Sequence, residues 1–93
     1  MKPVKRIDIV LPEAIVQPFT DLIERHRFRA YSVNTGLSGK SQGGMATAGL
    51  CDAAVMIICD HDDASELVKQ IGAFLDRYGG VGCVIEAQGL GIA

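Results

Sequence analysis

Two strand–helix–strand patterns, separated by residues 35–52 in which no hydrophobic period can be found, limit the fold of this chain more than any other feature. In the first half, Ile7 and Ile9 alternate with Arg6 and Asp8 across Lys5 to Leu11, as a half-buried strand requires, and Pro12 ends the run. From Glu13 to His26, Ile15, Phe19, Leu22 and Ile23 fall on one face at helical spacing. Pro18 conflicts with an unbroken helix, so either the helix kinks there or its regular part begins there. Arg29 to Asn34 reads as a second strand, Tyr31 and Val33 facing one way and Ala30, Ser32 and Asn34 the other.

The second half repeats the order. Ala53 to Cys59 is a continuous apolar run of central-strand length. Asp63 and Glu66 have the spacing of a capping box, and Leu67, Val68, Ile71, Phe74, Leu75 and Tyr78 then form a helical stripe that Gly79-Gly80 stops. Val81 to Ala87 is the last strand, and Gln88 to Ala93 reads as a frayed tail. The order β-α-β-β-α-β predicts an α+β, ferredoxin-like sandwich over residues 1–93. A single domain is expected, with a four-stranded antiparallel sheet and both helices on one face. Residues 35–52, rich in glycine and hydroxyl side chains, are expected to form a long mobile loop between strands two and three.

Charge and cysteine usage exclude several function classes. The formal net charge of −2 leaves no basic stripe for nucleic acid beyond Arg25 to Arg29, which is read as cations opposing a helix dipole. Met1-Lys2-Pro3 leads straight into a strand pattern without an apolar signal region, and no apolar run approaches a membrane span, so a cytoplasmic protein without membrane insertion is expected. Cys51, Cys59 and Cys83 make an odd, widely spaced set, which fits a reducing compartment rather than a disulfide framework. Cys59 and Cys83 read as small core residues, and Cys51 as redox-sensitive only if its thiol is acidified. With 93 residues the core is thin, and oligomerisation would add buried area.

Candidate chemistry lies in the glycine-rich segments. Gly79-Gly80-Val81-Gly82 could present backbone amides to an anion, although a glycine pair after a helix is more often only a cap. Gly36-Leu37-Ser38-Gly39-Lys40-Ser41 ends like a phosphate-binding P-loop, but only two residues separate its glycines and no helix pattern follows, so that reading is rejected. Asp60-His61-Asp62-Asp63 is read as an acidic helix start rather than a metal site, since consecutive residues rarely converge on one ion. No set of acids, bases and nucleophiles with catalytic spacing is found, so no catalytic or metal residue is assigned and no prosthetic group is expected.

The order of elements, the long loop and the Gly-x-Gly entry to the last strand resemble the PII signal-transduction family over about residues 5 to 90, and within it the PII-like proteins associated with carboxysomes and bicarbonate handling. The resemblance implies a homotrimer with an adenine nucleotide in each cleft between subunits. It also implies an unidentified protein target, a transporter or enzyme, met through loop 36–52. Tyr31, Ser32 and Val33 match the strand-two segment that contacts the base; Gly36, Leu37, Ser38, Gly39 and Lys40 match the loop root; Gly80, Val81 and Gly82 match the loop around the phosphates. Cys83 stands where the family pattern has a lysine, and the paired C-terminal arginines are absent, so ADP or AMP is expected over ATP, with bicarbonate as a second ligand. Two alternatives share the topology: a CutA-like trimer with a metal-linked role, and an acylphosphatase-like hydrolase, which would need a phosphate-cradling arginine loop that this sequence lacks.

Overall fold

The computed structural model describes residues 1–37 and 52–91. Strand β1 (Lys2–Pro12) runs through a single 3-10 turn at Glu13–Ile15 into helix α1 (Val16–Glu24). Then come β2 (Ala30–Leu37), β3 (Asp52–Asp60), a second 3-10 turn at His61–Asp63, α2 (Ala64–Tyr78) and β4 (Val81–Gly89). The sheet order is β2-β3-β1-β4 and every pair is antiparallel. The expected β-α-β-β-α-β sandwich is therefore the fold. The residues expected to form the mobile loop, apart from its root at 35–37 and Asp52, lie outside the described residues.

Strand parity sets the core. Ile7, Ile9 and Leu11 of β1 and Val55, Ile57 and Cys59 of β3 turn to one face, where Phe19, Leu22 and Ile23 of α1 and Leu67, Ile71 and Phe74 of α2 cover them. All are buried, and Phe19 meets Phe74 edge-on at 5.2 Å between ring centroids. Removing this apolar surface from water is the main favourable contribution to folding. Cys59 lies within this core, and burial raises its thiol above the usual range, which makes it chemically inert.

Local details depart from the sequence expectation in five places. Pro18 does not start the regular helix: α1 begins at Val16, so Pro18 occupies the first turn, where an amide has no intrahelical acceptor to lose. Asp63 does not cap α2 with its side chain; it is already in helical conformation at the end of the preceding 3-10 turn. Arg29 does not face the end of α1 but forks onto Asp60 of β3, with Nε–Oδ1 3.0 Å and Nη2–Oδ2 3.1 Å. Cys83 is exposed rather than buried, because it lies opposite Asp8 on the face that carries no helix. The strands are also longer than the alternation alone predicts, and β4 includes Gln88 and Gly89 of the expected tail.

Candidate functional site

The helix-free face of the sheet presents Arg6, Asp8 and Val10 from β1, Ser32 and Asn34 from β2, Ala54 and Met56 from β3, and Val81 and Cys83 from β4 around a shallow trough. Arg6 donates from Nε to Asp8 at 3.1 Å within it. Farther along the same face, Ile58 and Ala87 join Leu90 in a second trough. Val10, Val81, Ile85 and Leu90 are all exposed large apolar residues. A sheet face with large exposed apolar residues, its charged groups paired with one another as Arg6–Asp8 and Arg29–Asp60, is the kind of surface that a partner subunit covers.

Both glycine-rich segments lie at one end of this sheet. Leu37 pairs with Asp52, Asp52 with Pro12, and Val10 with Val81, so the root of the long loop and the entry to β4 share an edge of the molecule. They occupy opposite sides of that edge, however. Strands β3 and β1 separate β2 from β4, and three inter-strand spacings amount to roughly 14 Å. Within one chain no single phosphate reaches both.

The two segments differ in why they need glycine. Gly36 has φ +74° and sits where the β2–β3 register shifts between Asn34 and Leu37, so one extra residue is accommodated by a left-handed backbone. Its amide donates to the Glu13 carboxylate, 3.2 Å to Oε2. Gly80 has φ +125°, and a Cβ there would lie 2.9 Å from the Val10 carbonyl oxygen and 2.8 Å from Leu75 Cδ2. A Cβ on Gly82 would meet Ile9 Cγ1 and the Asp8 carbonyl oxygen, both at 3.2 Å. Close packing of β4 on β1 and on α2 thus accounts for Gly80 and Gly82. What the turn offers a ligand is its backbone along an unpaired strand edge.

Of the predicted base-contacting segment, Tyr31 and Val33 pack against the core, and Ser32 is exposed on the open face. Tyr31 Oη donates to Glu24 Oε1 at 2.6 Å, and that bond, then burial, raises its phenol above the ordinary range. Phe28 meets the Tyr31 ring edge-on at 5.2 Å. As β2 is an edge strand, its outer backbone groups are open along this segment. Ser38, Gly39 and Lys40 lie outside the described residues, as does Cys51. Sequence reasoning misses Glu13, which reads only as the start of a helix; an acidic residue directly after a strand-ending proline is the available signal.

Among the described residues no group of three or more His, Cys, Asp or Glu side chains could hold a metal ion. His61 lies 3.6 Å from Asp62 and 3.4 Å from Glu86, on an exposed surface. No helix among the described residues is long and apolar enough to cross a membrane.

This architecture is that of the PII-like proteins, small α+β signalling modules built on one antiparallel sheet. Among solved structures, the chain is similar to CPII from Thiomonas intermedia K12, a nitrogen regulatory PII-like protein, bound to ADP, AMP and bicarbonate. Identity is 25%, the match covers 97% of each chain, and the TM-score is 0.78. The same protein bound to ADP and bicarbonate matches at 25% identity and TM-score 0.79, over 92% of this chain and 87% of that one. A PII-like signalling protein from Thermus thermophilus, at 13% identity and TM-score 0.72 over 92% and 88% of the two chains, shares the fold. No protein-family model matches the chain, and no curated protein matches it.

Proposed function

We propose that this chain is a non-enzymatic PII-like regulator. It binds ADP or AMP in clefts between the subunits of a homotrimer and signals through loop 36–52 to a protein target, a transporter or enzyme, in the cytoplasm. The observation that carries this reading is the likeness to CPII along 97% of both chains, CPII having been solved with ADP, AMP and bicarbonate. The geometry supports the inter-subunit placement. One subunit holds its two glycine-rich segments roughly 14 Å apart on opposite strands. A second copy that brings its β4 edge beside this β2 edge would frame one ligand with both. The apolar open face supplies a surface for that assembly.

On this reading the base lies along Tyr31, Ser32 and Val33, and the phosphates lie between the loop root at Gly36 to Lys40 and the partner's turn at Gly80, Val81 and Gly82. Backbone amides would carry most of the anion recognition. The described part of that pocket offers few cations, and Cys83 occupies the position next to the turn, which favours ADP or AMP over ATP. Bicarbonate is proposed as a second ligand, with a role in carboxysome- or bicarbonate-linked carbon metabolism.

Calorimetric titration with AMP, ADP and ATP, with and without bicarbonate, tests the ligand. Light scattering on the eluting protein tests the assembly. The reading requires a trimer with saturable ADP or AMP binding; a monomer indifferent to all three nucleotides at millimolar concentration refutes it. A shift in melting temperature with Cu²⁺ and none with nucleotides would support the CutA-like alternative instead.

A further inference from the structure

The root of the long loop is already engaged by an internal anion. Gly36 donates its amide to Glu13 Oε2 at 3.2 Å, across a sequence separation of 23 residues. The contact is built by three elements. Pro12 ends β1 and turns the chain into the 3-10 segment, whose first residue is Glu13. Pro12 pairs with Asp52, and Asp52 pairs with Leu37, which brings the β1 end level with the loop root. The left-handed backbone at Gly36, φ +74°, then orients its amide away from the β3 ladder at the register shift.

We infer that Glu13 is an internal stand-in for a phosphate group, holding the Gly36 amide until a nucleotide displaces it. This rests on the proposed placement of the phosphates at the loop root. A carboxylate and a phosphate are both acceptor-only anions, and one amide hydrogen cannot serve both at full strength. A carboxylate within hydrogen-bond distance of that amide also repels a phosphate approaching it. Glu13 therefore lowers apparent affinity in proportion to the time it spends on Gly36, as a competing internal ligand does. Bound nucleotide, conversely, frees the Glu13 side chain, so occupancy is reported at the junction of β1 and α1 as well as at the loop root.

The test compares wild type, Glu13→Gln and Glu13→Ala by calorimetric titration with ADP and with adenosine, alongside amide chemical shifts in the ligand-free proteins. Glu13→Ala should bind ADP about three- to tenfold tighter, the factor expected for losing one exposed charge-assisted competitor. Glu13→Gln should fall between the two, since it keeps an acceptor and loses the charge. Adenosine affinity should not change, because adenosine carries no phosphate. In the ligand-free proteins the Gly36 amide resonance should move on substitution while those of Gly80 and Gly82 stay in place. Unchanged or weaker ADP binding by Glu13→Ala, in a protein whose wild type binds ADP, overturns the inference and leaves the proposed site standing. An equal gain for adenosine and ADP also overturns it. If no variant binds ADP, the site itself is refuted and the inference falls with it.

Discussion

Substituting Gly80 by alanine tests whether the turn into β4 is held by sterics. The backbone at Gly80 has φ +125°, a region that L-residues with a Cβ enter only with strain. An added methyl group would lie 2.8 Å from Leu75 Cδ2, 2.9 Å from the Val10 carbonyl oxygen and 3.1 Å from Leu11 Cβ. The leucine methyl can rotate away. The carbonyl cannot, because Val10 is paired with Ala54 on one side and Val81 on the other. Strained backbone of this kind costs on the order of 1–3 kcal/mol, and displacing a paired strand adds to that, so about 3 kcal/mol is expected. For a domain of this size each kcal/mol lowers Tm by roughly 4–8 °C, giving a fall of roughly 10–25 °C. Gly79 provides the internal comparison: its φ is +95° but nothing lies within 4 Å of an added Cβ, so about 1 kcal/mol is expected. Gly82 has crowding at 3.2 Å without a positive φ, which a few tenths of an ångström of movement relieves, at below about 1 kcal/mol. The assay is thermal unfolding by circular dichroism at one fixed protein concentration. If Gly82→Ala proves the most destabilising of the three, or if Gly80→Ala lowers Tm by under roughly 4 °C, the steric account of this turn is wrong.

Three other outcomes follow from particular contacts. Phe19→Ala should cost about 3–5 kcal/mol by removing a wholly buried ring that meets Phe74, and denaturant unfolding should reveal it as a lower midpoint with a similar slope. The Arg29 guanidinium holds the Asp60 carboxyl below its ordinary value, so the pair contributes stability above about pH 4 and loses it as pH falls through the folded value. Asp60→Asn should therefore be less stable than wild type at neutral pH, and the Tm difference should close on acidification; a difference independent of pH would contradict this. If subunits meet through the open sheet face, Cys83 should resist a maleimide reagent in the assembled protein and react once the assembly is dissociated, whereas Cys59 should stay unreactive until the chain unfolds; rapid labelling of Cys83 in the assembly would place the interface elsewhere.

Much of the fold can be read from periodicity, because its core obeys two simple spacings. The alternation of Ile7 and Ile9 with Asp8, and the stripe of Leu67, Ile71 and Phe74, are direct consequences of burying one face of a strand and one face of a helix. Cys83 shows where that logic stops. Val81 to Ala87 is largely apolar, so alternation does not assign its faces, and the parity is fixed by Gly82 lying against Ile9. Asp63 and Arg29 show a second limit. Local grounds assign both to helix ends, yet a 3-10 turn pre-empts the first, and Asp60, 31 residues away, pre-empts the second. The candidate site is legible as glycine-rich segments, but the reason for each glycine is not. Gly80 and Gly82 are explained by neighbours on β1 and α2, which no local pattern reveals, and Gly36 by a register shift against β3.

That distinction changes what can count as proof of ligand binding. An aspartate at Gly82 would be a natural way to disturb a phosphate site, yet its Cβ would also press on Ile9 and the Asp8 carbonyl, so lost binding would not separate an effect on the phosphate from an effect on the packing of β4. The useful perturbations are those that leave the packing of β4 intact and act on assembly or on the loop root. On the proposed reading, the two ligand-binding edges belong to different copies of the chain. A nucleotide bridging them then favours the assembled state over the separated one, and by linkage assembly must raise nucleotide affinity by the same factor. Affinity measured at low protein concentration, where subunits separate, should therefore fall together with the oligomer, whereas a site contained in one chain would bind equally well at any dilution. The sheet order makes this coupling a matter of geometry: with β3 and β1 between them, β2 and β4 of one subunit do not close on a single phosphate.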